Sequence, residues 1–217
     1  FYFRNPQGGD RPIGIFPSVI RVWTKWLQPT YVAPWGNSEG KRDYFFGEED
    51  KSCETCVWLQ ATTAEYAKAA GKTFAATLLD LEKAYETVKH FLLAREAKAL
   101  GFPLRVLRLA LMFYRMPRTI ILGGIATECV ATAQTIVAGC SFATTLLKVQ
   151  IARAIDAVLA KYRAARGFVI VDDITLAAAG QSGAVHEAIT GATVELVDRL
   201  EVDCGLIVSK TKNATVA

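Results

Sequence analysis

Asp172 and Asp173 stand side by side inside an apolar run, Phe168-Val169-Ile170-Val171-Asp172-Asp173-Ile174-Thr175-Leu176. No other feature of the sequence restricts the fold so tightly. The β-branched content predicts a strand or a tight hairpin rather than a helix. Two ionised carboxylates in such a setting repel each other and lose hydration unless positive charge lies between them. A hard divalent cation such as Mg²⁺ supplies that charge through oxygen ligands. Asp is equally at home in a hairpin turn, so the doublet alone leaves a structural turn and a metal site both open.

The rest of the chain can build a core around this run. Of its 217 residues 52% are hydrophobic and 21% charged, which excludes a disordered tail. The net charge of +4 fits a nucleic-acid partner without requiring one. No apolar run reaches the roughly 18 residues of a membrane span, so no membrane partner is expected. The five cysteines, at positions 53, 56, 129, 140 and 204, form an odd, scattered set. That argues against a disulfide scaffold and for a reducing, intracellular compartment. Cys53 and Cys56 have the spacing that opens a zinc site, but no second Cys or His pair follows, and the two histidines are isolated. The pair reads as metal-free thiols. The chain begins at Phe1 and stops within an apolar segment, which leads us to expect an excerpt of a longer protein.

Taken in order, residues 1–10 read as irregular, and Arg11 to Ile15 as a short strand leading into a turn. Ser18 is the expected N-cap of a helix carrying Val19, Ile20, Val22, Trp23, Trp26 and Leu27, with Arg21 and Lys25 on one face. Residues 29–41 read as loop, and Glu48-Glu49-Asp50 as a solvated acidic run. An Ala-rich helix over 53–70 ends at Gly71. Thr73 to Leu79 is a second apolar strand ending on Asp80. Helices follow to Leu100 and from Pro103 to Tyr114; Arg105, Arg108, Arg115 and Arg118 make the densest basic cluster. Residues 119–125, turning at Gly123-Gly124, and 127–137 read as strands. Long helices are expected over 143–163 and 184–200, then a short strand at 205–209 followed by Lys210 and Lys212.

Strand, helices, strand, helix, strand is the order of an α+β domain: a split βαβ sheet with helices on one face. Two central strands lying side by side would bring Asp80 next to the Asp172-Asp173 doublet. Three carboxylates so placed can hold two Mg²⁺ ions about 3.5–4 Å apart, the arrangement of two-metal phosphoryl transfer.

At this point the residues match a known family. Leu79-Asp80-Leu81-Glu82-Lys83-Ala84-Tyr85-Glu86-Thr87-Val88 resembles the first catalytic motif of reverse transcriptases, especially those of non-LTR retrotransposons and group II introns. Their pattern there is Asp-x-x-Lys-Ala-Phe/Tyr-Asp-x-Val. Ile170-Val171-Asp172-Asp173 is similar to their aromatic-x-Asp-Asp motif. Ala138-Gly139-Cys140-Ser141-Phe142-Ala143-Thr144 is similar to the Gln-Gly-x-Pro-x-Ser-Pro segment between the two. Arg11-Pro12-Ile13-Gly14-Ile15 resembles the Arg-Pro-Ile/Leu motif of the fingers, and Gly205 with Lys210 and Lys212 the later Gly-to-Lys motif. Five motifs stand in the family's order from about residue 11 to the end.

The resemblance implies the fingers–palm core of a right-hand polymerase, with a fingers portion over 1–75, a palm over 76–217 that includes fingers-side helices, and no thumb. It implies an RNA-directed DNA polymerase that joins dNTPs to a DNA or RNA primer on an RNA template, with two Mg²⁺ ions or Mn²⁺ in their place. Asp80, Asp172 and Asp173 match the metal ligands, and Leu81 the position that lends a backbone carbonyl. Tyr85 matches the steric gate against a ribose 2′-OH, Gly139 the glycine that lets backbone approach the template–nucleotide pair, and Arg11 and Arg21 the cations that grip the triphosphate. Lys212, seven residues past Gly205, matches the lysine near the pyrophosphate, with Lys210 as the alternative. Ile170 replaces an aromatic, Ala138 a glutamine, and Ser141 and Thr144 two prolines. A decayed copy that binds nucleic acid without catalysis is the alternative. An RNA-dependent RNA polymerase is disfavoured, because Val171 stands where that class carries glycine. The oligomeric state is left open.

Overall fold

The computed structural model describes every residue except 1, 5–9, 13, 49, 123 and 217, and the backbone alone for 2–4, 10–12 and 122. The strands are β1 (Tyr2–Arg4), β2 (Asp10–Pro12), β3 (Phe45–Phe46), β4 (Thr73–Glu82), β5 (Ile121–Leu122), β6 (Ile125–Ala126), β7 (Arg166–Ile170), β8 (Asp173–Gly180), β9 (Ile207–Val208) and β10 (Ala214–Val216). The helices are α1 (Ser18–Leu27), α2 (Ala33–Asn37), α3 (Cys53–Ala69), α4 (Ala84–Thr87), α5 (His90–Ala99), α6 (Leu104–Tyr114), α7 (Ala143–Lys161) and α8 (Ser182–Asp198). Two compact units result: Phe1–Gly40 with Tyr85–Val149, and Lys41–Ala84 with Gln150–Ala217. The chain thus passes between units three times. No helix among the described residues is long and apolar enough to cross a membrane.

The second unit is built on a mixed sheet in the order β10-β4-β8-β7-β3, with β9 also pairing β4. All neighbours are antiparallel except β3 and β7. In β4 the consecutive residues Ala75, Ala76 and Thr77 are all buried, so both faces of the strand are covered. One face carries Ala76 and Ala177, which pack with Phe46, Phe168 and Cys56 of α3. The other carries Thr77, Leu79, Ile174 and Leu176, and α8 is the helix that supplies its cover, contacting both β4 and β8. The helices expected on one face are therefore joined by α3 over the far half of the other. β8 continues through Ala177, Ala178 and Ala179, although alanine is a poor strand former. Their small side chains leave room for helices on both faces, and pairing with β4, joined at Ala177 by β7, fixes the backbone.

β3 is held by a clamp. Arg42 makes a bidentate contact to Asp156 of α7, with Nε 2.9 Å from both carboxylate oxygens, and Tyr44 Oη donates to the same carboxylate at 2.7 Å. Val169 N then donates to Tyr44 O at 2.8 Å, seating the edge strand on β7.

In the first unit, α1 buries Ile20, Thr24 and Leu27 and exposes Val19, Val22 and Trp26. The helix starts at Ser18 with Pro17 as its cap residue, so Ser18 is not the expected N-cap. Residues 29–37 are not loop, while 38–41 are: a π turn over Gln28–Val32 leads into α2, and Pro29 and Pro34 each sit in a first turn, where a missing N–H costs nothing. Nor are residues 2–4 irregular, since they pair with 10–12. The strands 121–122 and 125–126 pair as expected of a hairpin, and Gly123 of the expected turn lies outside the described residues. Residues 127–137 make bridges only, Arg118 to Val130 and Lys89 to Gln134.

Thr135 carries the strain in that segment. Its φ is +114, outside the regions open to a β-branched residue. Hydrogen bonds on both sides hold it there. Its N–H donates to Val88 O at 2.8 Å, its carbonyl accepts from His90 Nε2 at 2.8 Å, and the next residue, Ile136, donates to Tyr85 O at 2.7 Å. A carbonyl partner requires the proton on Nε2, and Nδ1 accepts from Arg115 Nε at 3.4 Å. Burial, then the Arg115 and Arg118 charges, push the His90 pKa down, while the Thr135 carbonyl opposes them. Strain of this kind costs about 1–3 kcal/mol, and glycine gives back about 0.5–1 kcal/mol in backbone entropy. Thr135→Gly is therefore expected to stabilise the protein by about 1 kcal/mol, raising Tm by roughly 2–4 °C in a thermal melt.

Candidate active site

β4 and β8 lie antiparallel with Asp80 directly opposite Asp173. The last pair of the β7–β8 ladder, Ile170 to Asp173, closes a two-residue turn made of Val171 and Asp172. The doublet thus sits in a hairpin, and the turn itself sets Asp172 beside the two opposed carboxylates. Val171 adopts φ +58, again an unfavourable value for a β-branched residue, so the turn that carries Asp172 is strained. Ile170, where the family carries an aromatic residue, packs at the edge of the Phe46–Phe168 cluster.

The edge of the sheet is shaped around Asp80. β9 pairs Leu81 and Glu82, β10 pairs Ala76 to Leu78, and between them the edge strand bulges away. At the bulge Ser209 N donates to Asp80 O at 2.8 Å, but the Asp80 N–H is taken by the side chain of Asn213, at 3.2 Å, instead of a strand carbonyl. A bulge re-aims a side chain, and here it brings Lys212 Nζ to 3.2 Å from Asp80 Oδ2. That contact is an ion pair without hydrogen-bond geometry: the oxygen is buried and has no hydrogen-bond donor. Because Asp80 faces Ser209 across β9, the alternation of an antiparallel pair turns the carbonyl of Leu81 away from β9. Lys210, the alternative lysine, is exposed.

The site has an excess of negative charge. Partial desolvation, then the charges of Asp172 and Asp80, push the Asp173 pKa up, while Lys212 pulls it down. The donor set fits Mg²⁺: three carboxylates of hard oxygen, one of them with a buried oxygen lacking a donor, and no thiol or imidazole with them. The oxygens are not drawn into a finished nest, since no group of three His, Cys, Asp or Glu among the described residues is set to hold a metal ion. The Cys53 and Cys56 thiols are free, Cys56 being buried in the core.

The other candidates belong to the first unit. Tyr85 is fixed by its main chain, which accepts from Ile136 N. Gly139 has φ +94, and the Gly14 carbonyl lies 3.6 Å from where its Cβ would be, so its conformation rather than crowding calls for glycine. Gly14 itself is crowded: a Cβ there would meet Val137 Cγ1 at 2.2 Å. Gly14, Glu86, Arg118 and Ala138 are among the residues around a cavity of about 490 Å³. Arg21 folds back on α1, where its guanidinium donates to Ser18 Oγ at 3.3 Å. Arg11 lies in β2 opposite Phe3, and its side chain is outside the described residues. In the basic cluster, Arg118 donates to Tyr114 O and Arg115 to His90, so these two are turned to the scaffold.

Sequence reasoning missed Asn213 and Thr135. Asn213 had a weak signal, as an Asn beside two lysines between strand-like runs. Thr135 had none, because a residue that prefers strands was read in a strand.

Removing Lys212 takes away the cation paired with Asp80. The pair is partly exposed, so Lys212→Met is expected to cost no more than about 1 kcal/mol in EDTA. The rise in Tm on adding millimolar Mg²⁺ is expected to exceed that of the wild type, because the lysine no longer competes for Asp80.

The comparisons with known proteins follow the same lines. No curated protein matches the chain closely. Over 96% of its length it resembles apo telomerase from Candida tropicalis truncated from the C-terminal domain, at TM-score 0.60 and 10% identity, covering 48% of that chain. Telomerase from Candida tropicalis in complex with a fragment of telomeric RNA gives TM-score 0.65 at 8% identity, covering 96% of this chain and 39% of that one. Telomerase from Candida albicans, also with a telomeric RNA fragment, gives 0.56 at 10% identity, covering 92% and 33%. The chain spans less than half the length of these proteins, and at such identities the likeness is one of fold. The sequence pattern of the reverse transcriptase (RNA-dependent DNA polymerase) family matches residues 3–217. The chain belongs to the reverse transcriptase family.

Proposed function

We propose that this chain is the polymerase core of an RNA-directed DNA polymerase, extending a DNA or RNA primer with dNTPs on an RNA template, and that it comes from a retroelement. The observation that carries the reading is the cross-strand pair Asp80–Asp173 with Asp172 in the adjoining turn, in a chain of this family. The sheet unit corresponds to the palm and the first unit contains the fingers. Asp80, Asp172, Asp173 and the Leu81 carbonyl would hold Mg²⁺, which when bound makes the primer 3′-OH a better nucleophile and offsets charge on the leaving pyrophosphate. Lys212 supplies a cation to the pyrophosphate side once released from Asp80. Tyr85 closes the space a 2′-OH needs, Gly139 admits the template–nucleotide pair, and Arg11 and Arg21 hold the triphosphate. The odd, scattered set of five cysteines suits a reducing, intracellular setting.

One observation favours a second reading, a copy that binds nucleic acid without catalysis: Ala138, Ser141, Thr144 and Ile170 depart from the residues of the motifs they otherwise match. Primer extension separates the two. Under the first reading wild-type protein incorporates dNTPs on a primed RNA template, and Asp172→Asn lowers the rate by on the order of 10²–10³-fold or more. RNA binding by wild type without incorporation selects the second reading, and full retention of activity in Asp172→Asn refutes the ligand assignment. Tyr85→Val is expected to raise ribonucleotide use relative to dNTPs, and unchanged selectivity removes the gate role.

A further inference from the structure

A second feature of the sheet unit is not used by this chemistry. At the end of the sheet away from the carboxylates lies a cavity of about 450 Å³, bordered by α3, the start of β7 and the three alanines of β8. Lys72, Arg163 and Arg166 all line it, and no acidic residue does. All three cations are exposed, and among the described residues none has a carboxylate partner. They come from two segments remote in sequence: Lys72 from the α3–β4 connection, and Arg163 and Arg166 from the run that leads out of α7 into β7. The fold therefore assembles them, and it gains nothing from doing so, since like charges sharing a cavity repel. An anion returns that energy.

The rest of the lining narrows the ligand. Thr62 and Thr63 donate their hydroxyl protons to Trp58 O and Leu59 O of their own helix, which leaves the ammonium and guanidinium groups as the strong donors. Tyr66 lines the same cavity and is 70% exposed. Phe168 and Ala177 to Ala179 make an apolar floor. Several cations beside an exposed aromatic ring and an apolar floor suit a chain of phosphates carrying flat bases. We propose that this cavity binds the phosphodiester backbone of a single nucleic-acid strand, with a base stacked on Tyr66. From Asp173 to Ala177 and Ala179 the β-strand rises about 14–20 Å, so the nucleotides held in this cavity make a contact separate from the carboxylates.

The test is fluorescence anisotropy with a labelled single-stranded oligouridylate over a range of salt, which reads binding whether or not the chain extends primers. The triple variant Lys72→Gln, Arg163→Gln, Arg166→Gln is expected to bind at least about tenfold more weakly, with the slope of log K against log[salt] smaller by about 2, because three phosphate contacts release roughly 0.7 counterion each. Tyr66→Ala is expected to lose about five- to a hundredfold in affinity at unchanged slope. Unchanged affinity and slope in the triple variant overturn the proposal. Uridine monophosphate and inorganic phosphate serve as competitors: displacement only at far higher concentration supports a strand site, and equal potency per nucleotide overturns it. Should the triple variant not fold, ultraviolet crosslinking of 5-iodouridine RNA to the wild-type chain decides: a crosslink at Tyr66 supports the site, and none within residues 60–72 refutes it.

Discussion

Two carboxylates opposed on neighbouring antiparallel strands form a pairing that a sheet ordinarily avoids. At about 5 Å and an effective dielectric between water and a protein surface, the repulsion is on the order of 1–3 kcal/mol. The Asp80–Asp173 register imposes this cost at the centre of the sheet, and much of the second unit is arranged to bear it. Leu79 and Leu81 flank Asp80 with their side chains in the core, so sliding β4 by one residue to separate the charges would drive both leucines into water. At about 1.5–3 kcal/mol for each buried leucine, that slip costs more than the repulsion it removes. Burial on the helix-covered face therefore enforces charge crowding on the other.

The same balance explains the edge strand. A regular edge strand would pair β4 without interruption and carry its lysine wherever the pleat directed it. The bulge between β9 and β10 gives up a ladder bond at Asp80, and Asn213 replaces the missing carbonyl. The ladder bond given up is worth about 1 kcal/mol and the side-chain acceptor recovers most of it. What the exchange supplies is position: Lys212 beside Asp80. Strain at Val171 follows the same logic, since a two-residue turn that presents Asp172 requires positive φ at its first residue and valine is held there by the ladder on either side.

How much of this could be read beforehand depended on whether the deciding signal was local. The runs at Thr73 to Leu79 and at Phe168 to Leu176 are apolar and β-branched, and both became central strands. Gly71 and Gly101 closed helices where they were expected to, each with positive φ. The three alanines of β8 carried no strand signal, because their reason is the approach of helices on both faces and that is tertiary. Pro29 and Pro34 read as loop, yet both sit in first turns, the one helical place where proline is at home. Of the site, the acidic residues were legible because charge inside an apolar run is costly wherever it falls. Asn213 and Thr135 were not, because one acts through a bulge and the other through a φ value that no propensity scale contains.

The placement of Lys212 also bears on how the site can move. β10 pairs β4 through three residues, all of them exposed, and β9 through two. An edge segment with so few buried contacts opens at lower free energy than the central strands. Asp80 and Asp173, by contrast, sit where β4 and β8 share eight paired residues. The carboxylates are thus fixed by the most extensive pairing in the sheet and the lysine by the least. Mutual repulsion among the carboxylates holds Lys212 against Asp80, and any cation that enters among them relieves that repulsion and with it the reason for the lysine to stay. Charge neutralisation at the rigid strands and release of the cation at the loose edge are therefore one electrostatic event, built into a sheet whose centre cannot slip and whose edge can.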